Sequence, residues 1–230
     1  MAGIKQIGVS SKSRAPRKRK PKAHQDLWLN ELLDEYLTGT MTPPRNGVFH
    51  PSILSNVCDR AVWLTYHGKM VSSILEPKVK RIFQNGDYLE KRVESWFYGL
   101  GILLAREKPL KMETPPISGR MDFLIKHQNY GILPVELKSI NTSGFSRLTR
   151  PKTEHQIQLQ IYLNMGNYNV GTVLYENKND QDIKSFLVER DAVQWNDILE
   201  RCFYIQNLES PPSKCTGASW CACRKVEYGK

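Results

Sequence analysis

Two short stretches constrain this chain more than any others: Gly119-Arg120-Met121-Asp122-Phe123-Leu124-Ile125 and, after a brief turn, Pro134-Val135-Glu136-Leu137-Lys138-Ser139. Side chains alternate across a strand with period 2, so Val135 and Leu137 face one way and Glu136 and Lys138 the other. The apolar run 132–135 leading into them belongs to a strand inside a sheet rather than at its edge. Two ionised groups in such a strand need compensation, because unpaired buried charge is costly. A divalent cation supplies it. Asp122 and Glu136 from neighbouring strands could share a Mg²⁺ or Mn²⁺, whose shell is completed by water and phosphate oxygen. Lys138, on the same face, could then position a water for attack on phosphorus or stabilise the developing charge. For Glu-x-Lys taken alone, the competing reading is a solvent-facing salt bridge on a half-exposed strand.

The surrounding pattern places these strands in an α/β or α+β domain with a central mixed sheet. Leu27, Trp28, Leu29, Leu32, Leu33, Tyr36 and Leu37 recur at helical spacing, and Pro43-Pro44-Arg45-Asn46-Gly47 forms a loop. A second helix is predicted from His50 to about Tyr66, with Ser52 as its cap and Gly68 as its stop. A longer one covers 77–98, with Asn85-Gly86 as an interruption or bend. The period then changes to strands at 102–111, 117–126 and 132–140. A helix follows at 154–165, then strands at 171–175 and 183–188, a last helix at 192–208, and a Cys-rich tail after Pro211-Pro212. No internal repeat is visible. Trp28, Trp63, Trp96, Trp195 and Trp220 are expected to be core residues rather than base-stacking platforms, with Trp220 the least constrained.

Asp122 followed by Glu136-Leu137-Lys138 resembles the PD-(D/E)xK nuclease superfamily, and the flanking residues resemble its RecB-like exonuclease branch, which includes CRISPR-associated and phage recombination nucleases. Gly86-Asp87-Tyr88-Leu89-Glu90 fits that branch's upstream helix, where a metal-binding His or Glu lies four residues after a Gly. Gln158-Leu159-Gln160-Ile161-Tyr162 fits its Gln-x-x-x-Tyr helix, the two ends one turn apart on one face. The match runs from about residue 50 to 177. It implies a restriction-endonuclease-like core with a helical N-terminal part, and a Mg²⁺- or Mn²⁺-dependent deoxyribonuclease. Metal ligation would fall to Glu90, Asp122, Glu136 and the Leu137 backbone carbonyl. Catalysis would fall to Asp122, Glu136 and Lys138, with Gln158 orienting Lys138 or the scissile phosphate and Tyr162 supporting the site or touching DNA. An exonuclease acting on ends or flaps is the first expectation. A structure-selective endonuclease on the same core and a non-catalytic nucleic-acid-binding module are the rivals.

The five cysteines follow no apolar leader, so a disulfide framework is not expected; they are free, catalytic or metal-bound. Cys58 lies early, while Cys215, Cys221 and Cys223 fall in the tail, and this distribution resembles the iron–sulfur subset of the same branch. The resemblance implies that a 4Fe–4S cluster pins the tail to the N-terminal helices. Zinc and free thiols stay open, because Cys215-x5-Cys221-x-Cys223 lacks a Cys-x-x-Cys pair. Cys202, between Arg201 and Phe203 in the last helix, reads as a core thiol.

Net charge is +10, but Lys5, Lys12, Arg14, Arg17, Lys18, Arg19, Lys20 and Lys22 supply +8 of it within the first 25 residues, which hold no acid. The body is left at +2. Residues 1–25 read as a disordered basic arm that adds salt-sensitive attraction to phosphates, 26–210 as the nuclease domain and 211–230 as the Cys-rich tail. Arg120, Arg147, Arg150 and Lys152 are further candidate DNA contacts, the last three in a basic loop spanning 141–152. His155 is expected to be a surface histidine, although phosphate or metal contact is the alternative. No apolar run approaches the roughly 18 residues of a spanning helix. DNA is thus the expected partner, protein partners are unspecified, and the expected location is the cytoplasm, or the nucleus or mitochondrion in a eukaryote.

Overall fold

The computed structural model describes residues 27–38, 46–70, 76–216, 221 and 223. The basic arm with Arg17, Lys18, Arg19 and Lys20, and also Trp220, lie outside the described residues. In chain order the elements are α1 (Leu27–Leu37), α2 (Pro51–Leu54), α3 (Asp59–Tyr66), α4 (Pro77–Gly99), β1 (Leu103–Met112), β2 (Ile117–His127), β3 (Gly131–Ile140), α5 (Thr142–Ser146), α6 (Thr153–Met165), β4 (Val170–Asn177), β5 (Ile183–Glu189) and α7 (Ala192–Asn207).

The five strands form one mixed sheet in the order β1-β2-β3-β4-β5, antiparallel except for the parallel β3–β4 pair. That parallel pair needs a crossover, and α5 and α6 supply it. On one face, Leu89 and Val93 of α4 pack on Phe123, Ile125, Leu133, Val135 and Leu137. On the other, Leu159 and Leu163 of α6 pack on Val173 and Tyr175, with Phe145 and Leu148 beside them. β3 therefore lies inside a covered sheet, as its apolar approach requires. The α/β architecture read from the sequence is present, with helices on both faces and a helical N-terminal part. Among the described residues no helix is long and apolar enough to cross a membrane.

A separate apolar cluster joins α2 and α3 to α7 and the tail cysteines. Leu54, Cys58, Val62, Trp63 and Leu64 pack with Ile198, Cys202, Ile205, Cys221 and Cys223. Hydrogen bonds tie the tail down at Arg60 Nη1 to Pro212 O (2.8 Å) and Trp63 Nε1 to Leu208 O (2.9 Å).

Five local expectations are corrected. The segment 50–66 is two helices, not one. The Asn56 side chain accepts the Cys58 N–H at 2.9 Å, a local bond that competes with helix continuation. Arg201 braces the break, donating to Leu54 O at 2.8 Å and Asn56 O at 2.6 Å. His50 occupies the N-cap position of α2, so Ser52 lies inside the helix and is not its cap. α4 runs unbroken through Asn85-Gly86, since Gly costs only about 1 kcal/mol in a helix interior and burial of Leu89 and Val93 offsets it. The loop 141–152 contains α5, started by Asn141, whose Oδ1 accepts Gly144 N–H at 2.8 Å. Five residues are too few to display a helical period. Finally, Trp63 is buried as expected, whereas Trp28 and Trp96 are exposed (69% and 42%), on helices whose outward faces no described residue covers.

Candidate active site

β2 and β3 pair from His127↔Gly131 up to Phe123↔Val135, and the pairing stops there. One step further, that register sets Asp122 opposite Glu136. The strands separate at the two acidic residues. Asp122 Oδ2 accepts the Leu137 N–H at 2.7 Å, so a side chain replaces the lost ladder bond. β3 meanwhile continues alongside β4, with Glu136↔Val173 and Lys138↔Tyr175 in register.

The alternation along β3 is the one its sequence requires. Val135 and Leu137 enter the α4 side of the core, while Glu136 and Lys138 point to the other face. Glu136 is completely buried. Lys138 Nζ touches its Oε1 as an ion pair, but outside hydrogen-bonding geometry, and neither carboxylate oxygen has a hydrogen-bond partner. A buried carboxylate in this condition is costly. Glu90 approaches from α4 and is held by Arg106 of β1, whose Nη2 lies 3.7 Å from its Oε2.

All three carboxyls resist ionisation. Burial raises Asp122 to about 7, and the charge on Glu136 adds to it. Burial also raises Glu136, against the pull of Lys138, and Glu90, where the charge on Asp122 adds to the effect. Lys138 is pulled down by burial, but Glu136 and Asp122 outweigh that and leave it raised and protonated. The pattern is an excess of negative charge held in a dry place. Such a donor set suits a hard divalent cation. The carboxylates are nevertheless not gathered tightly: among the described residues, the only group of three or more candidate ligands whose atoms all lie within 4.8 Å of one another is the cysteine set below.

α6 closes the site. Tyr162 is 3% exposed, its hydroxyl pushed above the ordinary phenol range by burial and by Glu136. The Gln158 side chain and the Arg120 backbone approach that hydroxyl and oppose the shift. Gln158 thus stands beside Tyr162, one turn away. Gly119 lets this happen, since a Cβ there would lie 2.7 Å from Pro51 Cγ and 3.0 Å from Tyr162 Cε1. Arg120 is exposed and pairs with Glu107 at 3.1 Å, lining a cavity of about 540 Å³ with Tyr162 and Ser52. Arg147, Arg150 and Lys152 are placed around α5 and the start of α6, all three exposed.

His155 and Tyr175 carried no site assignment in the sequence, yet they stand beside Lys138. His155 is partly buried rather than a surface residue, with Nδ1 2.7 Å from the Tyr175 hydroxyl, which also accepts the Lys152 N–H at 3.0 Å. Burial, with the Lys138 charge second, lowers His155 to about 4, so it is neutral at pH 7. No sequence signal marks Tyr175, because its place depends on the parallel β3–β4 pairing.

Cys58, Cys215, Cys221 and Cys223 bring their sulfurs within 4.8 Å of one another, with Cys215 and Cys223 3.4 Å apart. Burial raises the Cys58 thiol to about 12, so bound metal is what would make it a thiolate. The sulfur spread accommodates one tetrahedral ion at about 2.3 Å per bond, and four thiolates also serve a 4Fe–4S cluster. Cys202 is fully buried and stands outside the group, as expected of a core thiol.

This sheet, with helices on both faces, has the fold of solved structures that include an alkaline exonuclease. It is similar to the crystal structure of LHK-Exo in complex with dAMP (TM-score 0.52, 14% identity, 77% of this chain and 90% of that one). The alkaline exonuclease LHK-Exo from Laribacter hongkongensis gives a TM-score of 0.50 at 14% identity, over 76% and 90% of the two chains. SSO0001 gives 0.50 at 18% identity, over 80% and 85%. No family model matches the chain, and no curated protein matches it in sequence.

Proposed function

We propose that this chain is a Mg²⁺- or Mn²⁺-dependent deoxyribonuclease, an exonuclease by preference, that hydrolyses phosphodiester bonds in DNA processing, recombination or repair. The observation that carries the reading is Glu136, fully buried without a hydrogen bond, facing Asp122 at the point where the sheet opens. The ion pair with Lys138 offsets one buried charge, and Asp122 adds a second carboxylate beside it. A non-catalytic binding module has no use for it.

In this reading Glu90, Asp122, Glu136 and the Leu137 carbonyl hold the cation. When bound, it supplies Lewis acidity and neutralises charge at the phosphate. The protein's own groups do the rest. The Leu137 N–H fixes the orientation of Asp122. Lys138, kept protonated by its acidic neighbours, donates to the attacking water or to a phosphate oxygen as charge builds there. Tyr162, with Gln158 beside it, walls the cleft against bulk water and keeps Glu136 dry. Arg120, Arg147, Arg150 and Lys152 offer charge to the DNA backbone from the rim, and the basic arm of residues 1–25, with Arg17, Lys18, Arg19 and Lys20, adds unspecific affinity to the body formed by 26–210. The tail of 211–230 is held to the N-terminal helices by a 4Fe–4S cluster, or a zinc ion, on Cys58, Cys215, Cys221 and Cys223. Divalent-metal-dependent release of nucleotides from labelled linear DNA tests the proposal.

A further inference from the structure

β1 and β2 share an irregularity at one level, and it sets Glu107 opposite Asp122. Arg106 pairs with Phe123 and Lys108 with Met121, so Glu107 and Asp122 are the residues between. Strict alternation would put Arg106 and Lys108 on one face of the sheet. Instead Arg106 reaches Glu94 of α4 at 2.9 Å, while Lys108 Nζ reaches the Tyr168 hydroxyl at 3.0 Å on the opposite side. β2 slips likewise: Met121 and Leu124 pack with Tyr162, whereas Phe123 and Ile125 pack with Leu89 and Val93 of α4. Each strand thus carries one extra residue here, a paired bulge beside the acidic site.

On β1 the extra residue is Glu107, at φ +48°. Glycine or asparagine holds that left-handed conformation at less cost than glutamate does. A glutamate kept at such a position points to a use for its carboxylate. Glu107 Oε1 lies 3.1 Å from Arg120 Nη1, with the Glu107 side chain 43% exposed and that of Arg120 65%. A pair this open is weak and easily exchanged. Behind burial and nearer charges, the Glu107 charge also helps to raise Asp122 and Glu90, so it lies within electrostatic reach of both. Arg106, the preceding residue, is already committed to Glu94 and Glu90. One carboxylate therefore stands between the acidic site and a rim cation.

We propose that Glu107 is a positioning residue that couples cation binding to DNA binding: without a cation it holds Arg120, and with a cation on Asp122 and Glu136 it turns toward that charge and frees Arg120 for a phosphate. The proposal rests on the nuclease reading. The metal-free site repels DNA twice over, through its excess negative charge and through an Arg120 already neutralised. A divalent charge arriving at Asp122 and Glu136 competes well with one guanidinium that is largely in solvent. The freed guanidinium then takes phosphate oxygens through its paired N–H donors. The coupling is reciprocal, so DNA tightens the cation by the factor with which the cation tightens DNA.

The test uses the full chain carrying Lys138→Ala, which is expected to bind DNA without cutting it. Affinity for a fluorescent DNA oligonucleotide is measured by anisotropy with and without Mn²⁺, and Mn²⁺ affinity by calorimetry with and without the unlabelled oligonucleotide. With Glu107 present, Mn²⁺ should tighten DNA binding about 10-fold, and DNA should tighten Mn²⁺ binding equally. Adding Glu107→Gln should tighten metal-free DNA binding about 3-fold and cut the Mn²⁺ effect by a similar factor. Glu107→Gly, which eases the backbone, should do the same, so misfolding does not account for the loss. Arg120→Ala should also cut the Mn²⁺ effect, and Glu107→Gln added to it should change nothing further. An unaltered Mn²⁺ effect in Glu107→Gln, or the same response to Glu107→Gln with and without Arg120, would overturn the coupling. If the Glu107-dependent coupling is found but the wild-type chain cleaves no DNA, the coupling stands and the nuclease reading fails. Active cleavage by the wild type, with a DNA affinity that neither Mn²⁺ nor Glu107 alters, leaves the nuclease reading standing and removes the coupling.

Discussion

The Asp122 carboxylate is bonded to the Leu137 backbone N–H at 2.7 Å, across the gap where β2 and β3 have ceased to pair. The same contact orients Asp122 and ends the ladder. Burial, with Glu136 opposite, nonetheless raises its pKa from 3.8 to about 7. A group whose folded pKa is raised binds more protons when folded, so its contribution to stability is full below pH 3.8 and falls away as pH rises to about 7. At pH 8, ionised Asp122 is therefore a burden on the fold. Asp122→Asn should raise Tm at pH 8 by about 2–4 °C in metal-free buffer, the shift expected for about 1 kcal/mol in a chain of this size. It should give no such gain at pH 4. A lower Tm at pH 8 would show that the carboxylate is structural.

Cation binding should reverse that burden. Mn²⁺ added to the wild type should raise Tm progressively, by an amount equivalent to about 2.7 kcal/mol once its concentration reaches about 100 times Kd. Glu136→Gln should abolish most of the rise, since it removes the buried charge at the centre of the donor set. Equal Mn²⁺ responses in the two proteins would place the binding elsewhere.

His155 titrates in the opposite sense. Its pKa is depressed by burial from 6.5 to about 4, so its contribution is complete above pH 6.5 and is lost as pH falls towards 4. The stability advantage of the wild type over His155→Gln in urea unfolding should shrink by on the order of 1–2 kcal/mol between pH 7 and pH 4.5. A difference that does not change with pH would mean that His155 is not held neutral between Tyr175 and Lys138.

The cysteine set makes a compositional prediction. Cys58→Ser and Cys223→Ser should each lose bound iron or zinc by elemental analysis and make the chain beyond Leu208 open to limited proteolysis. Cys202→Ser should retain the metal, because that thiol lies outside the group. A broad absorbance near 400 nm after anaerobic purification identifies iron–sulfur, and its absence with one bound zinc identifies the other cofactor. Full metal content in Cys58→Ser would dismiss the four-sulfur site.

The sequence was most legible where periodicity and chemistry agreed. The alternation Val135, Glu136, Leu137, Lys138 after an apolar approach pointed to a covered strand with one charged face, and that is how β3 lies. Boundaries set by a single side-chain bond could not be read. Nothing in the order Asn56-Val57-Cys58 announces the break between α2 and α3, which depends on the Asn56 side chain and on Arg201 from 145 residues further along. Tyr175 and His155 gain their positions from elements distant in sequence, and looked from the sequence like ordinary polar or aromatic residues. The four cysteines are the reverse case. Their spacing argued against a site, and the packing of the tail on α3 brings them together regardless.

The most direct measurement is Mg²⁺-dependent degradation of end-labelled linear DNA beside the same sequence as a closed circle, for wild type, Asp122→Ala and Lys138→Ala. The wild type should release labelled mononucleotides or short products from linear DNA and spare the circle. Both variants should fall by at least about 100-fold in rate while still binding DNA. Undiminished cleavage by either variant, or wild-type protein that binds DNA and never cuts it, would contradict the assignment of Asp122, Glu136 and Lys138 as a catalytic centre.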